Sequence, residues 1–218
     1  MPKYDLVLFD LDGTLTDSQE GIVNSIQFAL RHFGIEINAP EELRKFLGPP
    51  LWNSFKEFCG FDEEQIKVAV DKYREYYLPK GIFENNPYLG IAEILELLKF
   101  HGVILAVATS KPTIQAERIL NHFNISTYFD LIVGSEMDGT RSDKAEIIAY
   151  VLDKLDSGRK MKAVMIGDRK HDIIGANAHR IDSIGVLWGY GDRAELEATN
   201  ATYIIESTNE IPNIICGV

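Results

Sequence analysis

The 218 residues carry a formal net charge of -11 and a pI near 4.9, with 45% hydrophobic and 25% charged side chains. That length suits one large domain, or one domain carrying a smaller insert, and the composition excludes the disordered, collagen-like and membrane classes. The acidic surplus excludes a general nucleic-acid binder, which needs a basic face to displace counterions from phosphates, so an anionic substrate must meet a local basic site.

Cys59 and Cys216 are far apart, and no Cys or His falls at metal-ligand spacing. Neither a disulfide framework nor a zinc site is indicated, and a reducing cytoplasm suits this usage. The opening MPKYDLVLFDLDG carries acids inside its apolar stretch, and no run approaches the ~20 apolar residues that cross a bilayer. A cytoplasmic chain with no membrane partner is expected.

In chain order, the first apolar run, Tyr4 to Phe9, reads as a buried strand and ends in Asp10-Leu11-Asp12-Gly13-Thr14. Two carboxylates two residues apart at a strand end either form a polar Asp-Gly turn or face an active site. Four helical patterns follow without a strand: Gly21 to Phe33, Glu41 to Phe46, Trp52 to Phe58 and Glu63 to Tyr77. They read as an inserted helical domain over residues 16–82, with the Gly48-Pro49-Pro50 turn inside it and Asn85-Asn86-Pro87 marking the return to the sheet. Trp52 and Phe55 are assigned to the core of this insert. Arg44 and Lys45 are either solvated helix charges or contacts for a substrate carboxylate or second phosphate.

The remainder, with residues 1–15, forms an α/β domain over 83–218. A helix from Ile91 to Phe100 leads to a strand from Val103 to Ala108, which runs into Thr109-Ser110-Lys111-Pro112 and a helix from Thr113 to Phe123. Hydroxyls and main-chain N–H groups at a helix start either cap that helix or cradle a phosphate. After the strand Leu131 to Val133 comes Gly139-Thr140-Arg141-Ser142-Asp143, and then Lys144 opens a helix running to Leu155. A helix N-terminus is already positive, so a lysine there is either solvated or balanced by an anion. The strand Ala163 to Ile166 ends in Gly167-Asp168-Arg169-Lys170-His171-Asp172. If a helix starts there, Asp168 and Asp172 share a face and offer oxygens to a hard cation. A last strand spans Ile184 to Leu187. The alternation implies a doubly wound parallel, Rossmann-like sheet. Four weak signals at successive strand ends then share one pocket equipped for phosphoryl transfer.

The strings DLDGTLTDS (Asp10 to Ser18), ATSKP (Ala108 to Pro112), SDK (Ser142 to Lys144) and GDRKHD (Gly167 to Asp172) resemble the haloacid dehalogenase superfamily, over nearly the whole chain. The overall likeness is to its phosphoglycolate phosphatase-like branch, which also holds enzymes acting on pyrophosphate and nucleoside monophosphates. The resemblance implies a helical cap, Asp10 as nucleophile and Asp12 as acid and then base. It implies Thr109, Ser110 and Lys144 around the phosphoryl group. It also implies Mg2+ held by the Asp10 side chain, the Asp12 carbonyl and Asp168, with Asp172 as a ligand or a support.

Three departures bear on this. Arg169 replaces the Thr or Ser of many relatives. Ile22 stands where related mutases place a histidine. Asp12, absent from dehalogenases, argues against halide displacement. The expected activity is hydrolysis of a small phosphorylated metabolite by a monomer or homodimer. The alternatives are a 5'-nucleotidase, a pyrophosphatase or, from another class, a phospho-accepting receiver-like signalling domain.

Overall fold

A computed structural model describes residues 2–37, 39–138, 140–155, 158 and 160–217. Strand β1 (Leu6–Phe9) is followed by the short β2 (Thr16–Asp17), helix α1 (Gln19–His32), a 3-10 segment at Pro40–Phe46, α2 (Leu51–Cys59) and α3 (Glu63–Tyr77). After the short β3 (Asn86–Pro87), strand and helix alternate through α4 (Ile91–Phe100), β4 (Ile104–Pro112), α5 (Thr113–His122), β5 (Leu131–Ser135) and α6 (Lys144–Leu155). The chain continues through β6 (Ala163–Gly167), α7 (Lys170–Ala178), β7 (Asp182–Val186), α8 (Arg193–Ala198), β8 (Tyr203–Ile205) and α9 (Glu210–Cys216). Two compact units result: Met1–Thr16 with Pro87–Val218, and Asp17–Asn86.

The first unit is built on a six-stranded sheet in the order β5-β4-β1-β6-β7-β8, with parallel pairing throughout. Parallel neighbours require crossover connections, and the helices supply them on both faces. Strand residues therefore need no polar side. Leu6, Leu8, Ala106, Ala108, Ala163 and Met165 pack with Ile147, Ile148 and Val151 of α6 and Ala176 of α7 on one face. The alternate residues, such as Val7, Phe9, Val107 and Ile166, point to the other face and are equally buried. In register, Phe9 lies between Val107 and Ile166. The chain thus leaves β1 in the middle of the sheet, where the winding direction reverses between β1 and β6 and a crevice opens at the carboxyl ends of the strands.

The helical unit holds together through α1, α2, α3 and the 3-10 segment. Its interior is aromatic: Phe55 is fully buried, stacked on Phe61 at 6.1 Å between ring centroids, and Phe46 meets Phe55 at 5.7 Å. A capping box opens α3, Asp62 accepting from Gln65 N–H at 2.9 Å while Gln65 Oε1 accepts from Asp62 N–H at 3.0 Å.

Several sequence expectations are corrected here. The pattern from Glu41 to Phe46 forms a 3-10 segment, being too short before Gly48-Pro49-Pro50 to propagate an α-helix. Trp52 is 40% exposed; the ring contacts run through Phe55, one turn further along α2. The short edge strand β8 and helices α8 and α9 were not anticipated, because three to seven residues carry too little periodicity. Gly139, five residues ahead of Lys144, lies outside the described residues.

Candidate active site

Four loops meet at the carboxyl edge of the sheet. Asp10 follows β1 directly, its N–H donating to Ile166 O at 2.9 Å, so the neighbouring strand fixes its main chain. The turn beyond is tight because Gly13 takes φ +83, a left-handed conformation that favours glycine. A Cβ at Gly13 would stand 2.3 Å from Asp168 Oδ2, so the same glycine lets the two acidic loops close on one another. Thr14 Oγ1 donates to Asp168 Oδ1 at 3.3 Å across that gap.

Lys144 begins α6 and is buried. Its ammonium donates to Ala108 O at 3.0 Å and lies 2.8 Å from both Asp10 Oδ1 and Asp172 Oδ1. Those carboxylates are the anions that balance a cation at a helix start. Burial works against the charged lysine, but Asp10 and Asp172 outweigh it and hold the pKa above the ordinary lysine value.

Asp168 ends the β6 loop and Asp172 stands in the first turn of α7; both are fully buried. The two do not share a helix face, since α7 starts only at Lys170. They converge because the loop turns Asp168 back toward the helix. Arg169 N–H donates to Asp172 Oδ2 at 3.1 Å, and Tyr190 N–H donates to Asp168 Oδ2 at 2.7 Å. Burial, reinforced by the charges of Asp172 and Asp10, raises the Asp168 pKa well above the usual carboxylate range. Burial also pushes Asp172 up to about 6, with Lys144 opposing and Asp10 reinforcing the shift.

Asp10, Asp168 and Asp172 each offer a carboxylate oxygen within 4.8 Å of the others. Asp10 Oδ1 and Asp172 Oδ1 meet Lys144 as charge contacts without aligned hydrogen bonds, and with Asp12 Oδ1 they are buried and lack hydrogen-bond partners. Crowded carboxylates with buried oxygens that lack hydrogen-bond partners fit a hard divalent cation, which takes oxygen ligands.

On the β4 side the strand continues to Pro112, pairing with Ser135 after a register shift that begins at Ala108. Such an irregularity re-aims side chains. Ser110 therefore does not cap α5, which takes Pro112 as its N-cap. Ser110 Oγ instead donates to Ser142 O at 3.2 Å, while Ser135 Oγ donates to Ser110 O at 2.9 Å. Thr109 is buried and accepts from Lys111 N–H at 3.3 Å. The loops bearing Ser110 and Lys144 are thus tied together.

Comparison with known proteins adds a decisive observation: the model of the haloacid dehalogenase-like hydrolases matches residues 7–186. The chain belongs to the haloacid dehalogenase-like hydrolase family. A 5'-nucleotidase of Pseudomonas aeruginosa is 45% identical over 92% of this chain and 90% of its own length. The tyrosine-protein kinase PtkA of Mycobacterium tuberculosis is 41% identical over 91% of this chain and 67% of its own length. The crystal structure of a predicted phosphatase from Clostridium acetobutylicum gives a TM-score of 0.90 at 48% identity, over 95% of this chain and 96% of that one. The family and its phosphatase relatives, the 5'-nucleotidase among them, make the chain a phosphatase.

For a haloacid dehalogenase-like hydrolase, three neighbours of the site escaped the sequence reading. Lys111 lies within the ATSKP string and its Nζ stands 3.1 Å from Asp12 Oδ2. Trp188 Nε1 donates to Thr14 O at 3.1 Å, and Tyr190 holds Asp168 as described. Gly189, between them, is required by close approach: a Cβ there would lie 2.3 Å from Gly13 O. The rule that ligands gather beyond strand ends, applied to the end of β7, would have found this loop. Arg44 and Lys45 lie exposed on the 3-10 segment of the helical unit, Lys45 Nζ being 5.0 Å from the Phe58 ring centroid.

Proposed function

We propose that the chain is a magnesium-dependent phosphomonoesterase acting on a small phosphorylated metabolite through an aspartyl-phosphate on Asp10. The observation that carries this reading is the convergence of Asp10, Asp168 and Asp172, with the buried Lys144 ammonium set against Asp10 and Asp172.

In the first step a carboxylate oxygen of Asp10 attacks phosphorus, the ester P–O bond breaks, and Asp12 gives its proton to the leaving oxygen. In the second, Asp12 takes a proton from water, the water oxygen attacks phosphorus, and the bond to Asp10 breaks to release inorganic phosphate. Covalent catalysis divides one difficult displacement into two easier ones. Lys144 fixes the Asp10 carboxylate and balances charge on the transferring group, while Thr109 Oγ and the Ser110 N–H receive its oxygens. Lys111 orients Asp12. Asp10, Asp168, Asp172 and the Asp12 carbonyl would hold magnesium, which neutralises phosphoryl charge and aligns the group for attack.

Nucleoside 5'-monophosphates are the first substrate class to test, because a 5'-nucleotidase is the 45% identical relative; phosphoglycolate and pyrophosphate follow. Choice of leaving group is assigned to the helical unit as a cap, with Arg44 and Lys45 as its candidate contacts. The test is phosphate release as kcat/KM across these classes, with magnesium and with EDTA. Metal-dependent multiple turnover of one class supports the reading. A single equivalent of phosphate taken up on Asp10 without turnover would replace it with the phospho-accepting signalling domain.

A further inference from the structure

Arg169 places a guanidinium one residue from Asp168 and three from Asp172, next to a site read above as holding a divalent cation. An uncompensated charge there would repel the ion or compete with it for the carboxylates. Its side chain is taken up instead by Glu195 on α8. Arg169 Nε donates to Glu195 Oε1 at 2.9 Å and Arg169 Nη2 to Oε2 at 3.4 Å, a two-pronged contact that fixes direction as well as charge. Glu195 Oε1 also accepts from Lys170 N–H at 2.7 Å, at the first residue of α7. Glu195 is held in turn: its own N–H donates to Asp192 Oδ1, the N-cap of α8, at 2.8 Å. The Arg169 and Glu195 side chains are 17% and 22% exposed, so the pair is largely shielded from water. These fixings fall at residues 169 and 170, on the short stretch of main chain flanked by Asp168 and Asp172, and Arg169 N–H is itself spent on Asp172 Oδ2.

We infer that Arg169 and Glu195 form a compensating pair that keeps the Asp168–Asp172 site open to a divalent cation, with Glu195 as a positioning residue touching neither ion nor substrate. Glu195 neutralises the guanidinium and draws it toward α8. The proposal rests on the magnesium reading of the acidic cluster, and it predicts interdependence: Glu195 matters because Arg169 is present.

The experiment is magnesium titration by calorimetry on the folded, metal-free full chain, comparing wild type, Glu195→Gln, Arg169→Ser and the double variant. Supporting residues of this kind typically change metal affinity roughly 10- to 100-fold, and a loss of that size is expected for Glu195→Gln. The double variant should recover to within about twofold of Arg169→Ser alone, as for a carboxylate whose ion-pair partner is gone. This second comparison stands even if Glu195→Gln folds poorly. Wild-type affinity in Glu195→Gln, or a double variant binding much more weakly than Arg169→Ser, overturns the proposal; the latter would make Glu195 a simple brace for Lys170 N–H. If folded wild type binds no magnesium, the metal reading itself fails, and that is a distinct result.

Discussion

In the sheet unit the charged groups are the buried ones: Asp168 and Asp172 are fully enclosed, Asp10 and Lys144 nearly so, and each answers to another charge or to a main-chain N–H. In the helical unit the buried large rings are those of residues such as Phe46, Phe55, Phe61 and Tyr77, while Arg44 and Lys45 lie at the surface. Burying a charge is costly unless it is paired, whereas burying a ring stabilises outright. The strand ends therefore give up stability for chemistry, and the aromatic interior of the helical unit does not. Substitutions in the two places should fail in different ways.

The largest contrast is expected at Asp10. Asp10→Asn keeps the shape of the side chain and removes its nucleophilic charge, so kcat should fall about a thousandfold or more while the thermal melt stays cooperative. Turnover near wild type would move the nucleophile elsewhere. Lys144→Met should lose stability as well as activity, because Asp10 and Asp172 would remain buried without their cation; breaking such a pair costs about 3–5 kcal/mol. Phe55→Ala, in the helical unit, should cost a similar ~3–5 kcal/mol through a cavity alone. Urea unfolding would put the two side by side. The comparison breaks if magnesium rescues Phe55→Ala as effectively as Lys144→Met.

A smaller effect follows from pH. The Asp168 and Asp172 pKa values are raised in the folded chain, mainly by burial, Asp172 reaching about 6 from an ordinary value of 3.8. Their protonated forms favour the fold. That contribution is whole below the ordinary value, and the part from Asp172 is lost as pH rises through about 6. Magnesium needs the same carboxylates ionised and competes with their protons. The Tm gain from magnesium over EDTA should thus be greater near pH 7.5 than near pH 5, and equal gains would contradict a cation at these two residues.

The parts of this design that sequence revealed were those where an apolar run stops abruptly at a charged or hydroxylated residue, as at Phe9-Asp10, Ala108-Thr109 and Gly167-Asp168. Such a break is local and survives without coordinates. Placement of Asp172 relative to Asp168 was not local, since it depends on α7 starting at Lys170 rather than at the strand end. Glu195 was invisible for a similar reason: it lies 26 residues beyond Arg169, in a six-residue helix with no periodic signal of its own. Lys111 sat within a recognised string, yet only the folded chain shows that its ammonium reaches Asp12. Residue type was legible where chemistry needs an unusual one; partnership was not, because partners are chosen by the fold.

The smallest predicted effects fall on the helical unit's exposed cations, and they sharpen the contrast by separating specificity from stability. Lys45 lies over the Phe58 ring, an exposed cation–π contact worth about 0.5–1 kcal/mol, so Lys45→Ala should lower stability by no more than that. Arg44, also exposed, should have even less effect on unfolding when changed to alanine. If either residue meets the substrate's distal anion, its removal should raise KM for a doubly anionic substrate severalfold and leave kcat for the small chromogenic ester p-nitrophenyl phosphate unchanged. Steady-state kinetics with both substrates decides this. A uniform fall in kcat for both would assign the residue to the chemistry, and no change for either would leave it a solvated surface charge.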